Sequence, residues 1–348
     1  RPVTLGFIGG LSGRVTDLGS NARNGMLLAV EEVNARGGID DVPVQTLIRD
    51  DKQDPDTARG AVRELIDARV DAIIGPVTSV IAMAVLDLVN QSRTLMIGVS
   101  TTTNELSDRD DHFIRVLSPT AHYTDKFARY LHGQQGIRTY AVIYDTVNHS
   151  YTESWVGDFE SRFSALGGQQ VAKVSFASGN DLALQQAATE LVRKPADIYI
   201  LVTHSVDAAL LAKLIREARP EARLATAEWA ATERLIELGG RHVEGALVQQ
   251  YLDRDSQDPD FIAFRDRFHE RFGQEPGFAG MLSYNATNIA LEALRNKAAG
   301  ETARDYILRR REFATIQGPT RLNQFGDGLT SIYVAEIRDA RFHVLTRM

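Results

Sequence analysis

The sequence predicts an α/β fold made of two domains, and three observations predict it. The chain has 348 residues, more than a single hydrophobic core usually serves, so two domains are expected. Apolar strand-like runs alternate with helix-like stretches of roughly ten to fifteen residues, which is typical of parallel sheets built from right-handed crossovers. A first series of this kind ends near Ser100, and a second begins near Arg138. We therefore expect one structural unit used twice.

The first series has clear boundary signals. Asp54 before Pro55 supplies an N-cap followed by proline at the first helical position. The glycines of ARGGID, residues 35–40, end the preceding helix. The expected strands and helices of this series are VTLGFIG, VPVQTLIRD, VDAIIGP and TLMIGVS, with helices over 20–35, 57–69 and 79–90.

The second series repeats the alternation and is followed by a helical block. Its expected elements are the strands RTYAVIYD, QQVAKVSF, ADIYILVT, ARLATA and VEGALVQQYL, with helices over 152–166, 181–193 and 207–217. After Leu252 come three expected helices, 259–272, 277–298 and 302–311, and then a hairpin of SIYVAEIRD and ARFHVLT.

The late helices and the terminal hairpin must pack on one domain or the other. The simplest arrangement gives the helices to the first domain and the hairpin to the second. The chain then crosses between domains near Ser118, Gln250 and Asp327. The expected domains are 1–118 with 251–326, and 119–250 with 327–348.

Composition excludes several classes of function. The net charge of −7 disfavours nucleic acid or an anionic membrane surface as the main partner. The chain has no cysteine, which excludes disulfides, thiolate catalysis and cysteine metal sites. Its longest apolar runs are too short to span a bilayer. The opening RPVTLGFIGG lacks an initiator methionine and reaches a strand at once, which suits a chain trimmed at its start or an exported chain whose leader has been removed, and we favour the exported chain.

The carboxyl ends of the expected strands are where an open parallel sheet binds ligands. Here those ends carry glycines, hydroxyls, amides and aromatic side chains, including four consecutive hydroxyl residues in MIGVSTTTNELS. No dinucleotide fingerprint, phosphate loop, nucleophile elbow or zinc motif occurs. The acidic stretch RDDKQDP favours helix capping over a divalent cation. We expect no enzyme activity, cofactor or metal, and a site that holds something small without transforming it.

Nine motifs in order along the whole chain carry a family resemblance. They are VTLGFIGGLSG, AVEEVNARGGI, RDDKQDPDTA, IIGPVTS, LMIGVSTTTNELS, FIRVLSP, AVIYD, VEGALV and GPTRLNQFGDG. The chain resembles the type I periplasmic solute-binding proteins of ABC transporters, in the leucine/isoleucine/valine-binding branch. This resemblance implies two Rossmann-like lobes joined by a hinge of three crossovers, with the ligand cleft between them.

The same resemblance implies a function. A small carboxylate ligand, an amino acid of branched-chain or other apolar type, is captured by hinge closure. It is then delivered to an inner-membrane ABC permease. The resemblance further implies a periplasmic monomer without nucleic acid partners or direct membrane insertion.

The hydroxyl run and the residue before the third helix match the family's carboxylate-binding positions. Ser79 and Thr102 are the expected carboxylate ligands, and the carbonyl of Ser100 is expected to face the ammonium. Thr101 belongs to the same run and stays among the candidates, although helix capping explains Thr101 and Thr103 equally well.

The second lobe supplies the remaining expected contacts. Glu228 in TAEWAAT matches the family's counter-charge for the ammonium. Tyr151 and His204 match its aromatic positions, with His149 as the alternative to Tyr151. On the first lobe Leu18 falls just before the first helix, where the family often has tryptophan.

The chain also departs from the family pattern, and its sequence leaves the ligand class open. A cysteine pair found in some relatives falls on Gln53 and Thr78, so this chain lacks that disulfide. An aromatic acid without an amine could replace the amino acid, because carboxylate binding by Ser79 and Thr102 needs no ammonium. The sequence is also compatible with a ligand-sensing domain of a signalling system and, less well, with an enzyme.

Overall fold

The computed structural model describes residues 1–348 and divides them into two compact units. Unit 1 comprises Arg1–Pro119 and Ser256–Thr330, and unit 2 comprises Thr120–Asp255 and Ser331–Met348. The boundaries expected after residues 118, 250 and 326 fall after residues 119, 255 and 330. The late helices belong to unit 1 and the terminal hairpin to unit 2.

The helices and strands follow in chain order. Residues 1–119 form β1 (Thr4–Gly9), α1 (Thr16–Ala35), β2 (Gln45–Asp50), α2 (Pro55–Asp67), β3 (Ala72–Ile74), α3 (Ser79–Ser92), β4 (Met96–Gly98) and β5 (Phe113–Arg115). Residues 120–255 form α4 (Thr120–Arg129), β6 (Thr139–Asp145), α5 (His149–Ala165), β7 (Gln169–Phe176), α6 (Asp181–Leu191), β8 (Ile198–Val202), α7 (Ser205–Ala218), β9 (Leu224–Thr226), α8 (Glu233–Gly239) and β10 (Leu247–Gln250). The remainder forms α9 (Pro259–Phe272), α10 (Phe278–Asn296), α11 (Ala303–Arg310), β11 (Glu312–Phe313), β12 (Thr320–Leu322), β13 (Gly328–Leu329), β14 (Tyr333–Arg338) and β15 (Arg341–Arg347).

Unit 1 is built on a parallel sheet with strand order β2-β1-β3-β4-β5. Every residue of β1, β3 and β4 is buried, as expected for strands covered by helices on both faces. Helices α2 and α3 pack against the sheet through a cluster that includes Val62, Leu65, Ile81 and Val85. Helices α1 and α10 pack against each other.

The contact between α1 and α10 depends on close backbone approach. A Cβ on Gly25 would lie 2.1 Å from the carbonyl oxygen of Gly280, so only glycine fits there. Asn21 of α1 accepts from the backbone N–H groups of Gly277 and Gly280 at 2.9 and 2.8 Å. The start of α10 is thereby capped by a side chain distant in sequence.

Unit 2 contains a seven-stranded sheet in the order β15-β14-β10-β9-β8-β6-β7. Strands β6 to β10 are parallel, and the antiparallel pair β14–β15 extends one edge. Counted from the first strand of each unit, both parallel sheets have the doubly wound order 2-1-3-4-5. The repeated α/β unit inferred from the sequence is therefore present.

The structure corrects the expectations from sequence in a few places. Helix α1 begins at Thr16 rather than Ser20, and α5 begins at His149 rather than Thr152. Four features were missed: α4, β5, α8 and the small antiparallel sheet β11-β12-β13 in unit 1. The missed strands have only two or three residues, too few to show a period. None of the helices combines the length and apolar character that crossing a membrane requires.

Candidate functional site

In unit 1, Ser79 lies at the first position of α3, just beyond the carboxyl end of β3. Its side chain is buried, and its Oγ accepts from the backbone N–H groups of Thr102 and Thr103 at 3.1 and 3.2 Å. A serine oxygen has two acceptor positions, so both are used, and its O–H remains as a donor. At a helix N-terminus, such a donor suits an anion.

The hydroxyl run does not act as one unit. Thr103 accepts from the N–H of Glu105 and so caps the short 3₁₀ turn that follows. Ser100 donates its hydroxyl to the carbonyl of Val77, so this O–H is already in use as a donor. Only the carbonyl role predicted for Ser100 stays a prediction.

Thr101 and Thr102 are both fully buried, and neither hydroxyl has a partner. They differ in their surroundings. A Cβ on Gly98 would lie 2.3 Å from Thr101 Oγ1, so this hydroxyl packs against β4 of its own sheet. The backbone N–H of Thr102, by contrast, donates to Ser79 Oγ, which places Thr102 next to Ser79. A buried hydroxyl without a partner is costly, which makes Thr102 the candidate donor beside Ser79.

The loops after β2 and β3 are joined by hydrogen bonds rather than by a disulfide. Thr78 donates its hydroxyl to Gln53 Oε1 at 2.9 Å, and the family resemblance matches these two positions to a cysteine pair. Gln53 in turn donates to Asp51 Oδ1 through its backbone and side-chain nitrogens. Burial raises the pKa of Asp51 to about 6.

The acidic stretch in this loop acts as a set of caps. Asp54 accepts from the N–H of Thr57 at the start of α2, and Asp50 accepts from the N–H groups of Leu11 and Lys52. No group of three or more His, Asp or Glu side chains is arranged to hold a metal ion.

Leu18 does not precede the first helix, contrary to the expectation. Because α1 begins at Thr16, Leu18 lies in its first turn and is buried. Gly19 in that turn has a low helix propensity, which hides the start of the helix in the sequence. Glycine is required at this position because the helix backbone packs closely against Gly10: a Cβ on Gly19 would lie 1.8 Å from the carbonyl oxygen of Gly10.

In unit 2, Glu228 follows β9 and has an environment made of neutral donors. Its Oε1 accepts from the hydroxyls of Tyr151 and Tyr251, both at 2.9 Å, and its Oε2 accepts from Trp155 Nε1 at 3.2 Å. The side chain is buried, and its side-chain hydrogen bonds come from Tyr and Trp rather than from Lys or Arg. The backbone N–H of Glu228 also donates to this carboxylate.

Burial and hydrogen bonding act in opposite directions on Glu228. Burial raises the pKa of its carboxyl group, and the backbone N–H of Glu228 together with the three side-chain donors partly offsets this by stabilising the ionised form. Burial, followed by the negative charge of Glu228, raises the pKa of Tyr151 and Tyr251 well above the usual range. Both tyrosines therefore stay protonated and act as donors.

Of the two alternatives at the start of α5, the structure places Tyr151 beside Glu228. Tyr151 is buried in the first turn, whereas His149 is exposed. Trp155 lies one turn further on and stacks on Phe159, with ring centroids 5.1 Å apart and planes within 10°. The aromatic core of unit 2 therefore fixes the indole that donates to Glu228.

His204 is held by its own unit. As the N-cap of α7 it accepts from the N–H of Asp207 through Nδ1, and its Nε2 lies 2.8 Å from Ser178 Oγ. Ser178 also donates to Asp207 Oδ2 at 2.6 Å. Both ring nitrogens are thus engaged, so His204 can offer a ligand a ring surface but no free polar atom. Its role as a ligand contact stays a prediction.

Trp229 links these aromatic groups. Its ring meets Tyr151 and His204 edge-on, with centroids 5.7 and 5.5 Å apart, and its indole N–H is buried without a partner. The residues that sequence reasoning missed here are Tyr251 and the donor role of Trp155. Tyr251 directly follows β10, and its position at a strand end was the available signal.

Comparisons with known proteins agree with this architecture. The profile of the family described as periplasmic binding protein matches residues 2–341. The Leu/Ile/Val-binding protein BraC3 of Rhizobium johnstonii is 22% identical over 302 residues, which cover 86% of this chain and 81% of that protein.

Two solved structures share the fold. The leucine-binding protein LivK of Thermotoga maritima superposes with a TM-score of 0.90 at 22% identity, covering 99% of this chain and 98% of that one. A solute-binding protein of R. palustris in complex with benzoate superposes with a TM-score of 0.88 at 18% identity, covering 100% and 96%. Since the family profile spans nearly the whole chain, the protein belongs to the periplasmic binding proteins, the non-enzymatic solute-binding components of ABC transporters.

Proposed function

We propose that the protein captures an amino acid outside the cytoplasm and delivers it to an inner-membrane ABC permease. The observation that carries this proposal is Glu228, a buried carboxylate with three neutral donors and no cation. An unpaired buried charge is expensive, and a ligand ammonium would supply the missing compensation.

The carboxylate end of the ligand is assigned to unit 1. Ser79 has only its O–H left to give, and Thr102 holds a buried hydroxyl without a partner. Two neutral donors at the N-terminus of α3 suit a carboxylate, which brings its own charge. No arginine is needed in direct contact with the ligand.

In this proposal one ligand contacts both units. Binding then favours the arrangement in which the contacts to Ser79 and Thr102 and the contact to Glu228 form together. The names of relatives in this family support an apolar amino acid as the cargo, since BraC3 and LivK are described as binding leucine and similar residues.

An aromatic acid is the second candidate. The edge-on ring cluster of Tyr151, Trp229 and His204 favours it, and so does the benzoate complex of the R. palustris structure. An aromatic acid without an amine leaves Glu228 without a cation, so the two candidates differ in what Glu228 does.

The deciding experiment combines a ligand screen with one substitution. A thermal-shift screen of amino acids and aromatic acids comes first, because a ligand at a hundred times its dissociation constant stabilises by roughly 2.7 kcal/mol. Calorimetry then compares the wild type with Glu228→Gln, using the best ligand. For an amino acid, Glu228→Gln is expected to cost about 2–5 kcal/mol, roughly thirtyfold or more in affinity.

The control is Glu237→Gln, which removes an exposed carboxylate of the same unit. It should leave affinity unchanged. Equal or tighter binding of an amino acid by Glu228→Gln would reject the proposed pairing, whereas the same result with an aromatic acid would favour the second candidate.

A further inference from the structure

Arg115 forms a buried set of hydrogen bonds in unit 1 that no ligand needs to touch. Arg115 ends β5, and its side chain is only 1% exposed. Its Nε donates to Asp327 Oδ1 at 2.8 Å, in the turn between β12 and β13. A buried ion pair of this kind adds little net stability. Stability alone therefore does not account for this arginine.

The rest of the guanidinium group holds the hydroxyl run. One terminal nitrogen donates to the backbone carbonyls of Thr101 and Thr103 at 3.3 and 2.7 Å. The other donates to Ser107 Oγ at 2.7 Å. Arg115 therefore forms hydrogen bonds with the backbone on both sides of Thr102.

These carbonyl contacts lead directly to Ser79. The peptide group whose oxygen belongs to Thr101 carries the N–H of Thr102, and that N–H donates to Ser79 Oγ at 3.1 Å. Hydrogen bonds in such a chain polarise one another. The guanidinium group thereby strengthens the Thr102 N–H as a donor, and this in turn strengthens the remaining O–H of Ser79 as a donor.

We propose that Arg115, held by Asp327, is a positioning residue that relays its positive charge through the Thr101–Thr102 peptide to the Ser79 hydroxyl. The relay selects ligands that present a full carboxylate to Ser79. Asp327 balances the charge of the guanidinium group within the buried pair. The ligand carboxylate therefore meets the polarised hydroxyl of Ser79 and not the guanidinium group itself. This inference rests on the proposed function, because it assigns the carboxylate end of the ligand to unit 1.

The test uses Arg115→Lys, which keeps the charge but loses the planar group that holds Asp327, Ser107 and the carbonyls of Thr101 and Thr103 through three different nitrogens. Calorimetry measures the carboxylate ligand and its carboxamide analogue, with affinities corrected for the folded fraction. The variant should bind the carboxylate about tenfold more weakly and change carboxamide binding by no more than about twofold. The matched control is Arg304→Lys, another arginine of unit 1 that pairs with a carboxylate, Asp110, and donates to a backbone carbonyl. It should change neither affinity.

A double-mutant cycle separates a relay from a purely structural role. On a Ser79→Ala background, Arg115→Lys should cause no further loss of carboxylate affinity, because the relay already lacks its last member. An equal loss on both backgrounds would overturn the proposal, as would a lower melting temperature with unchanged affinities.

A ligand-free measurement keeps this inference distinct from the proposed function. Amide hydrogen exchange of the Thr102 N–H should be at least about tenfold faster in Arg115→Lys than in the wild type, and unchanged in Arg304→Lys. If the wild type binds no carboxylate, the proposed function fails and the ligand selectivity of the relay fails with it. If exchange at Thr102 is unchanged in Arg115→Lys, the relay geometry is wrong whatever the ligand.

Discussion

Replacing Thr102 by valine tests the hydroxyl run most sharply, because the structure supplies a matched control one residue away. Thr101 and Thr102 are both fully buried, and neither hydroxyl has a partner. A buried hydroxyl left unsatisfied costs about 1–3 kcal/mol. In the ligand-free protein, Thr101→Val and Thr102→Val should therefore both leave stability unchanged or raise it.

Ligand binding should distinguish the two variants. Thr102→Val removes a donor to the ligand carboxylate and should weaken binding by about 1–3 kcal/mol, roughly five- to 150-fold. Thr101→Val should not change binding, since that hydroxyl packs against Gly98 in its own sheet. Titration calorimetry on both variants, together with thermal unfolding of the ligand-free proteins, gives the comparison. Equal losses of affinity, or a loss only at Thr101, would show that the run was assigned in the wrong register.

Three further outcomes are expected. Because the folded protein raises the pKa of Asp51 to about 6, it holds this proton more tightly than the unfolded chain. As the pH rises from about 4 to about 6.5, the free energy of unfolding should therefore fall by up to about 3 kcal/mol. Chemical denaturation measures this fall, which should be absent in Asp51→Asn. Gly25→Ala should lower the melting temperature strongly, since its Cβ would clash with a backbone carbonyl of α10. Gly60→Ala, on α2 with open space around it, should raise stability by about 0.5–1 kcal/mol, and the reverse order of melting temperatures would refute this packing. Binding of an ammonium ligand should change tryptophan fluorescence saturably, because Trp155 donates to Glu228 and Trp229 adjoins it. A tight ligand that leaves the emission unchanged would argue against Glu228 as its partner.

Much of the fold was accessible from the sequence because buried parallel strands carry their own signal. The runs VTLGFIG and ADIYILVT are largely apolar, and the strands they contain, β1 and β8, are buried along their whole length. The start of α2 was equally legible, since Asp54 caps the helix that Pro55 begins. These features depend on neighbouring residues only.

The details of the candidate site depended on distant residues and were less accessible. Tyr151 and Tyr251 are far apart in the sequence and meet on one oxygen of Glu228. Arg115 and Asp327 are separated by 212 residues. No local pattern relates such pairs, because only the folded units bring them together. His204 is a further case: it caps α7 through Nδ1 although histidine is not among the usual N-cap residues, so the sequence did not predict this role.

The cap that Asn21 provides for α10 has a consequence for the order in which the chain can assemble. Its bonds to Gly277 and Gly280 span 256 and 259 residues, so α1 must wait for most of the chain before its main packing partner exists. Unit 2, by contrast, takes all five of its parallel strands from the continuous segment Thr120–Asp255. Contacts so distant in sequence form late, because the loop must close before the packing rewards it. During synthesis the first 119 residues therefore lack α10 while the parallel strands of the second sheet can already form, and unit 1 receives its last helices only after most of unit 2 has been made.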